Sequence, residues 1–170
     1  MLSVAFFRNL NQGQRGSPSR DILLAAFVEA GATELSPYRS NGTVIFDAAD
    51  PELCAENVAT LLASRSPWND TVFVRGGDWI VEFASELVAR PPGLPARTEI
   101  SFFDESFVVP GLPLAGVRST IVAGGPGYAV TVNDVPTEGH ATPSLEQLDT
   151  GPVTSRSLGT LIGLAGRLTN

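Results

Sequence analysis

The chain has 170 residues, of which 43% are hydrophobic, and a formal net charge of −7. A chain of this length can bury roughly 70% of the surface it exposes when unfolded, so a core forms without staples, and the single cysteine, Cys54, excludes an internal disulfide framework. The acidic balance argues against non-specific nucleic-acid binding, and the longest apolar run, Ile22 to Val28, is far short of the roughly 20 residues of a membrane span.

The opening MLSVAFF has no basic n-region, so a cytoplasmic protein is expected. Leu2 to Phe7 reads as a strand with two apolar faces, neither of them wet. It runs into RNLNQGQRGSPSRD, Arg8 to Asp21, which carries Arg8, Arg15 and Arg20 and no acid until its last residue. Ser17 as N-cap and Pro18 at the first helical position open a helix bearing Ile22, Leu23, Ala26, Phe27 and Ala30 at helical spacing, and Gly31 closes it. Thr33 to Arg39 and Thr43 to Asp47 flank Ser40, Asn41 and Gly42, a hairpin signal for which type I′ geometry puts both central residues at φ > 0.

Asp50 and Pro51 start a second helix with Cys54, Val58, Leu61 and Leu62 on one stripe, ending near Arg65. Thr71 to Arg75 is a fourth strand, and the order βαββαβ is the ferredoxin-like arrangement. Two helices cover only one face of such a sheet, so the other apolar face needs the rest of the chain or a partner, a homodimer included. Asp78 caps a third helix with Ile80, Phe83, Ala84, Leu87 and Val88 in one stripe. After the connector Pro91 to Arg97, strands are expected at Thr98 to Phe103, Val117 to Ala123 and Tyr128 to Asn133. Residues 104–116 and 134–152 read as loops with one helical turn near Leu145. Ser155 to Leu168 closes the chain as a helix with Leu158, Leu161, Ile162 and Ala165 on one face. The expectation is an α+β fold of two ferredoxin-like halves sharing a core, residues 1–76 and a second α+β half at 77–170.

Three segments resemble the bacterial family catalogued as domain of unknown function 1697. Its opening loop RGINVGG is matched by RNLNQGQ, sharing Arg8, Asn11 and Gly13; its hairpin YxQSGNVVF by YRSNGTVIF, sharing Tyr38, Gly42, Val44 and Phe46. Its C-terminal TTRNWNTVxxL is matched by TSRSLGTLIGL, sharing Thr154, Arg156, Thr160 and Leu164. The resemblance implies two ferredoxin-like halves and no established activity. Gln14, Thr43 and the run Ser157, Leu158, Gly159 depart from the family pattern.

A helix N-terminus presents unpaired N–H groups and the positive end of the macrodipole, so the loop is a candidate cradle for a small, phosphate-bearing anion. Its candidate residues are Arg8, Asn9, Asn11, Gly13, Arg15 and Ser17, with Arg156 added by the family motif. The structural alternative pairs Arg8 with a buried acid, shapes the turn with Asn9 and Asn11, and leaves Ser17 as a cap. GQRGS is not a Walker A loop, and no GxGxxG is present. Cys54 falls on an apolar stripe and reads as core, and His140 reads as an exposed loop residue. One histidine and one cysteine do not make the usual zinc site, and no cofactor is expected. Glu82 and Glu86 read as solvated. No RNP1 pattern supports RNA binding. Two competing readings are a non-enzymatic interaction module and an enzyme acting on a phosphorylated or carboxylated substrate, for which no general base can be placed.

Overall fold

The computed structural model describes residues 1–90 and 93–170, so Pro91 and Pro92 of the expected connector lie outside the described residues. The chain is a mixed α+β protein, with two antiparallel sheets and five helices among the described residues. It divides into two compact units, Met1–Trp79 and Ile80–Asn170.

The first unit contains β1 (Leu2–Phe7), α1 (Arg20–Glu29), β2 (Thr33–Tyr38), β3 (Thr43–Asp47), α2 (Pro51–Arg65) and β4 (Val72–Gly76), so the βαββαβ order is present. Every strand pairing is antiparallel, in the order β2-β3-β1-β4. Strand alternation puts Ala5, Phe7, Val44, Phe46 and Val74 on one face, where they pack with Leu23, Ala26 and Phe27 of α1 and Cys54, Val58 and Leu62 of α2. Phe27 sits 5.0 Å from Phe46 and meets Phe7 edge-on at 5.9 Å. Val4, Phe6 and Ile45 on the opposite face are buried too. Cys54 is buried as expected, and desolvation pushes its thiol pKa up.

Two local expectations are corrected. Ser19, not Ser17, is the N-cap of α1, its Oγ accepting from Ile22 N at 3.3 Å; the Ser17 hydroxyl instead accepts from Asn11 N at 3.1 Å. The hairpin tip is not a two-residue type I′ turn, because the positive φ angles fall at Arg39 (59°) and Gly42 (65°) rather than at Asn41 and Gly42. A Cβ on Gly42 would lie 2.9 Å from the Leu10 Cβ and 3.0 Å from both the Leu10 carbonyl and the Phe7 Cβ. The glycine is therefore required by backbone conformation and by the opening loop packed against it.

α3 (Gly77–Ala89) spans the division between the units. The second unit continues with β5 (Thr98–Phe102), β6 (Leu114–Gly116), β7 (Ser119–Gly125), β8 (Tyr128–Asn133), α4 (Ala141–Glu146), β9 (Thr154–Ser157) and α5 (Leu158–Leu168). The sheet order is β6-β7-β8-β5-β9. If β6 is set aside, the first, second, third and fourth strands of this unit stand in the same spatial order as those of the first unit, again all antiparallel. No helix lies between β5 and β7, and the short α4 occupies the connection that α2 occupies in the first unit. The expected last helix is shorter than its periodicity suggested. Thr154–Ser157 pairs with β5 as an edge strand, and Ser157 caps α5 by accepting from Thr160 N at 3.2 Å. Val88 and Ile162, read as stripe residues, are 64% and 42% exposed.

Candidate functional site: the opening loop

Leaving β1, the chain is fixed in place before it becomes a loop. Arg8 N donates to Thr71 O at 2.9 Å, and the Trp68 indole Nε1 donates to Arg8 O at 2.9 Å while its ring meets Phe7 edge-on at 5.5 Å. The Arg8 guanidinium reaches both oxygens of Asp70, at 3.0 and 3.1 Å, and Asn9 Nδ2 donates to Asp70 Oδ2 at 2.8 Å. Thr71 N completes the set on Asp70 Oδ1 at 2.8 Å. Asn9 takes a left-handed conformation, φ 53°, which an Asn tolerates better than most residues. Arg8 and Asn9 therefore latch the loop to the start of β4; the structural alternative gave Arg8 a buried acid, whereas Asp70 is part-buried, and it gave Asn9 to the turn rather than to the acid.

Beyond the latch, Gln12 N donates to Ser40 O at 2.7 Å and Phe7 N to Gly42 O at 2.8 Å, so the RNLNQGQ loop and the YRSNGTVIF hairpin form one layer. Gln14 N bonds Asn11 O and Ser17 N bonds Gln14 O, coiling the segment through Gly13 (φ 86°) and Gly16 (φ 89°). The N–H groups of Gly13, Arg15 and Gly16 have no acceptor among the described residues. The side chains of Arg15 and Arg20 are exposed and make no ion pair among the described residues. The first acid is Asp21, in the first turn of α1.

Of the predicted site residues, the structure thus brings together Arg8, Asn9, Asn11, Gly13, Arg15 and Ser17 in one loop, but with different roles. Arg8 and Asn9 hold Asp70, Asn11 and Ser17 close the turn, Gly13 provides the left-handed corner, and Arg15 points to solvent. Arg156 belongs to the second unit, on β9. It is buried, its Nη1 donates to Thr154 Oγ1 at 2.7 Å and Ser155 O at 2.9 Å, and desolvation lowers its pKa to about 10. His140 is not the exposed loop residue expected: its side chain is 20% exposed, and its Nε2 lies 2.7 Å from Glu138 Oε2. Glu82 and Glu86 are exposed, as read. Asp70 was missed in the sequence; it stands 62 residues from Arg8, and no local pattern joins the two.

No family model matches the chain, and no curated protein matches it. Among solved structures, the chain is similar to the conserved bacterial protein SP0830 from Streptococcus pneumoniae, with a TM-score of 0.65 and 17% identity over 99% of this chain and 98% of that one. That likeness runs the whole length of both proteins and concerns the fold alone, as an α+β chain built in two units.

Proposed function

We propose that the first unit is an anion-binding module whose ligand, a small phosphate-bearing or carboxylate-bearing molecule, rests on the opening loop. The observation behind it is the loop's surplus of donors: the N–H groups of Gly13, Arg15 and Gly16 and the exposed guanidinium groups of Arg15 and Arg20 stand at the start of α1 without protein acceptors among the described residues. Arg8 and Asn9 serve as the latch that shapes this surface, held by Asp70 rather than offered to the guest. Two of the three segments that resemble the domain of unknown function 1697 family lie in this layer of loop and hairpin, the third lying on β9 and α5, and on that resemblance we read the chain as a divergent member with two ferredoxin-like halves. A cytoplasmic setting is part of the same reading.

A thermal-shift screen of nucleotides and sugar phosphates, followed by calorimetry on the best hit, tests the assignment. The Arg15→Ala, Arg20→Ala double variant is expected to abolish binding with the fold intact; affinity equal to wild type would reject the loop as the site.

A further inference from the structure

The second unit carries a polar corner that the opening-loop reading does not use. β8, β5 and β9 are neighbours, and their register sets Thr131, Glu99 and Ser157 in one row across the sheet. Side chains alternate along a strand, so Arg97 and Asn133 share that face. Asn133 is 2% exposed and organises the corner: its Nδ2 donates to Arg97 O at 3.1 Å and to Glu99 Oε2 at 2.8 Å, while its Oδ1 accepts from His140 N at 2.9 Å. Ala141 N, at the start of α4, gives Glu99 Oε2 a second donor at 3.2 Å. One carboxylate oxygen of Glu99 is thereby held, and Oε1 has no donor among the described residues. Arg97, Glu99, Asn133, Glu138, Gly139 and Ser157 line a cavity of about 240 Å³ here.

This corner also holds a concentration of unmet hydrogen bonding. Among the described residues three buried side-chain polar atoms lack a partner; two of them, Arg97 Nε and Thr131 Oγ1, lie on this face, and Thr131 is fully buried. The third, Thr98 Oγ1, belongs to the intervening residue of β5, which alternation places on the other face. Buried polar groups in native proteins are nearly always paired, and the orphaned Arg97 Nε belongs to a residue that lines the cavity. The charges define its chemistry. Glu138 is already matched, its Oε2 lying 2.8 Å from Arg118 Nη1 and 2.7 Å from His140 Nε2. Arg97 Nη1 donates to Asp134 O at 3.0 Å, and neither Nε nor Nη2 meets an acceptor among the described residues. What remains is one negative acceptor, Glu99 Oε1, and one positive donor group, the Nε and Nη2 edge of Arg97, on the same face.

We propose that this corner binds a small zwitterion, an α-amino acid in the simplest case, with its ammonium group on Glu99 and its carboxylate on Arg97. The cavity is smaller than the roughly 300–1,000 Å³ of drug-sized sites, which suits a guest of that size. No covalent step is implied.

The test is a heteronuclear NMR titration of the whole chain with the common α-amino acids, each added singly, and with ethylamine and acetate as carriers of one charge each. At least one amino acid should shift the Glu99, Asn133 and Ala141 amide resonances saturably, with both single-charge probes about tenfold weaker or more. Glu99→Gln retains an oxygen for Asn133 and Ala141 and so keeps the start of α4, yet should weaken binding about tenfold or more. Arg97→Met, which keeps the apolar stem, should do likewise and serves if the first variant fails to fold. Lack of saturation by every amino acid, ethylamine binding as tightly as the best amino acid, or wild-type affinity in a folded variant would each overturn the proposal.

Discussion

Gly42→Ala probes the contact on which the opening-loop layer depends. Gly42 has φ 65°, and for an L residue the left-handed region costs roughly 1–2 kcal/mol. The added methyl would meet the Leu10 Cβ at 2.9 Å and the Leu10 carbonyl and Phe7 Cβ at 3.0 Å. None of these is the far end of a flexible side chain, and Leu10 and Phe7 are 1% and 0% exposed, so neither gives way without disturbing the core. Overpacking of this kind costs roughly 1–3 kcal/mol, which brings the expected loss to about 2–5 kcal/mol. Gly13→Ala is the control: φ is 86°, but nothing lies within 4 Å of its would-be Cβ, so only the backbone cost of about 1–2 kcal/mol applies. Urea unfolding followed by fluorescence reads the difference, with Trp79→Phe in the background so that the buried Trp68, packed edge-on against Phe7, is the reporter. Equal losses in Gly42→Ala and Gly13→Ala would show that the hairpin does not press on the loop, and the single-layer description of the two motifs would be wrong.

Ser19→Ala should accelerate hydrogen exchange at Ile22 N–H and cost about 1 kcal/mol, while Ser17→Ala should expose Asn11 N–H and leave Ile22 protected; the reverse pattern would restore Ser17 as the cap. Glu138 is held below the usual carboxylate range, first by its hydrogen bond with His140 and then by the charge of Arg118. A carboxylate depressed in the folded state stabilises above its unfolded pKa of about 4.3 and loses that contribution as pH falls through the folded value. Stability of the native chain should therefore drop more steeply than that of Glu138→Gln from about pH 5 downward, and identical pH profiles in denaturant titrations would refute the pairing.

Elements with both a periodic stripe and a local stop or start were legible in the sequence. α2 is the clearest case, since Asp50 caps it, Pro51 sits in its first turn and Cys54, Val58 and Leu62 are buried on the stripe. β9 was not legible because TSRS has no apolar alternation; it is a strand only through its pairing with β5, more than fifty residues earlier in the chain. Val88 and Ile162 fit the 3.6-residue period but lie just off the buried arc, where residue type alone does not distinguish a stripe from its border. The candidate loop was legible as an acid-free run of donors, whereas the division of labour within it was not. Which arginine is latched depends on Asp70, a residue that precedes another strand and has no signature of its own.

The two sheets share a strand order, and their contrast shows why the polar corner is more than an accident of composition. In the first unit the face under α1 and α2 carries Ala5, Phe7, Val44, Phe46 and Val74, and two full helices cover it with aliphatic and aromatic side chains. The face under α4 starts in the same way, with Phe103, Ile121 and Ala129 packed against Leu145. Toward the other end of β5 it changes character. The Ser101 and Ser155 hydroxyls pair at 2.8 Å, Thr142 joins them at 2.7 Å, and Ser119 pairs with Ser144 at 2.8 Å. Beyond them come Thr131, Glu99 and Asn133. An aliphatic helix laid over that end would strand each of these groups at about 1–3 kcal/mol apiece. A six-residue helix that offers hydroxyls and a backbone N–H meets the serines and Glu99, leaving Thr131 Oγ1 unpaired. Its shortness leaves the far corner uncovered, where the Glu99 carboxylate is fixed by one oxygen and open at the other, a preorganised group rather than a solvated surface acid.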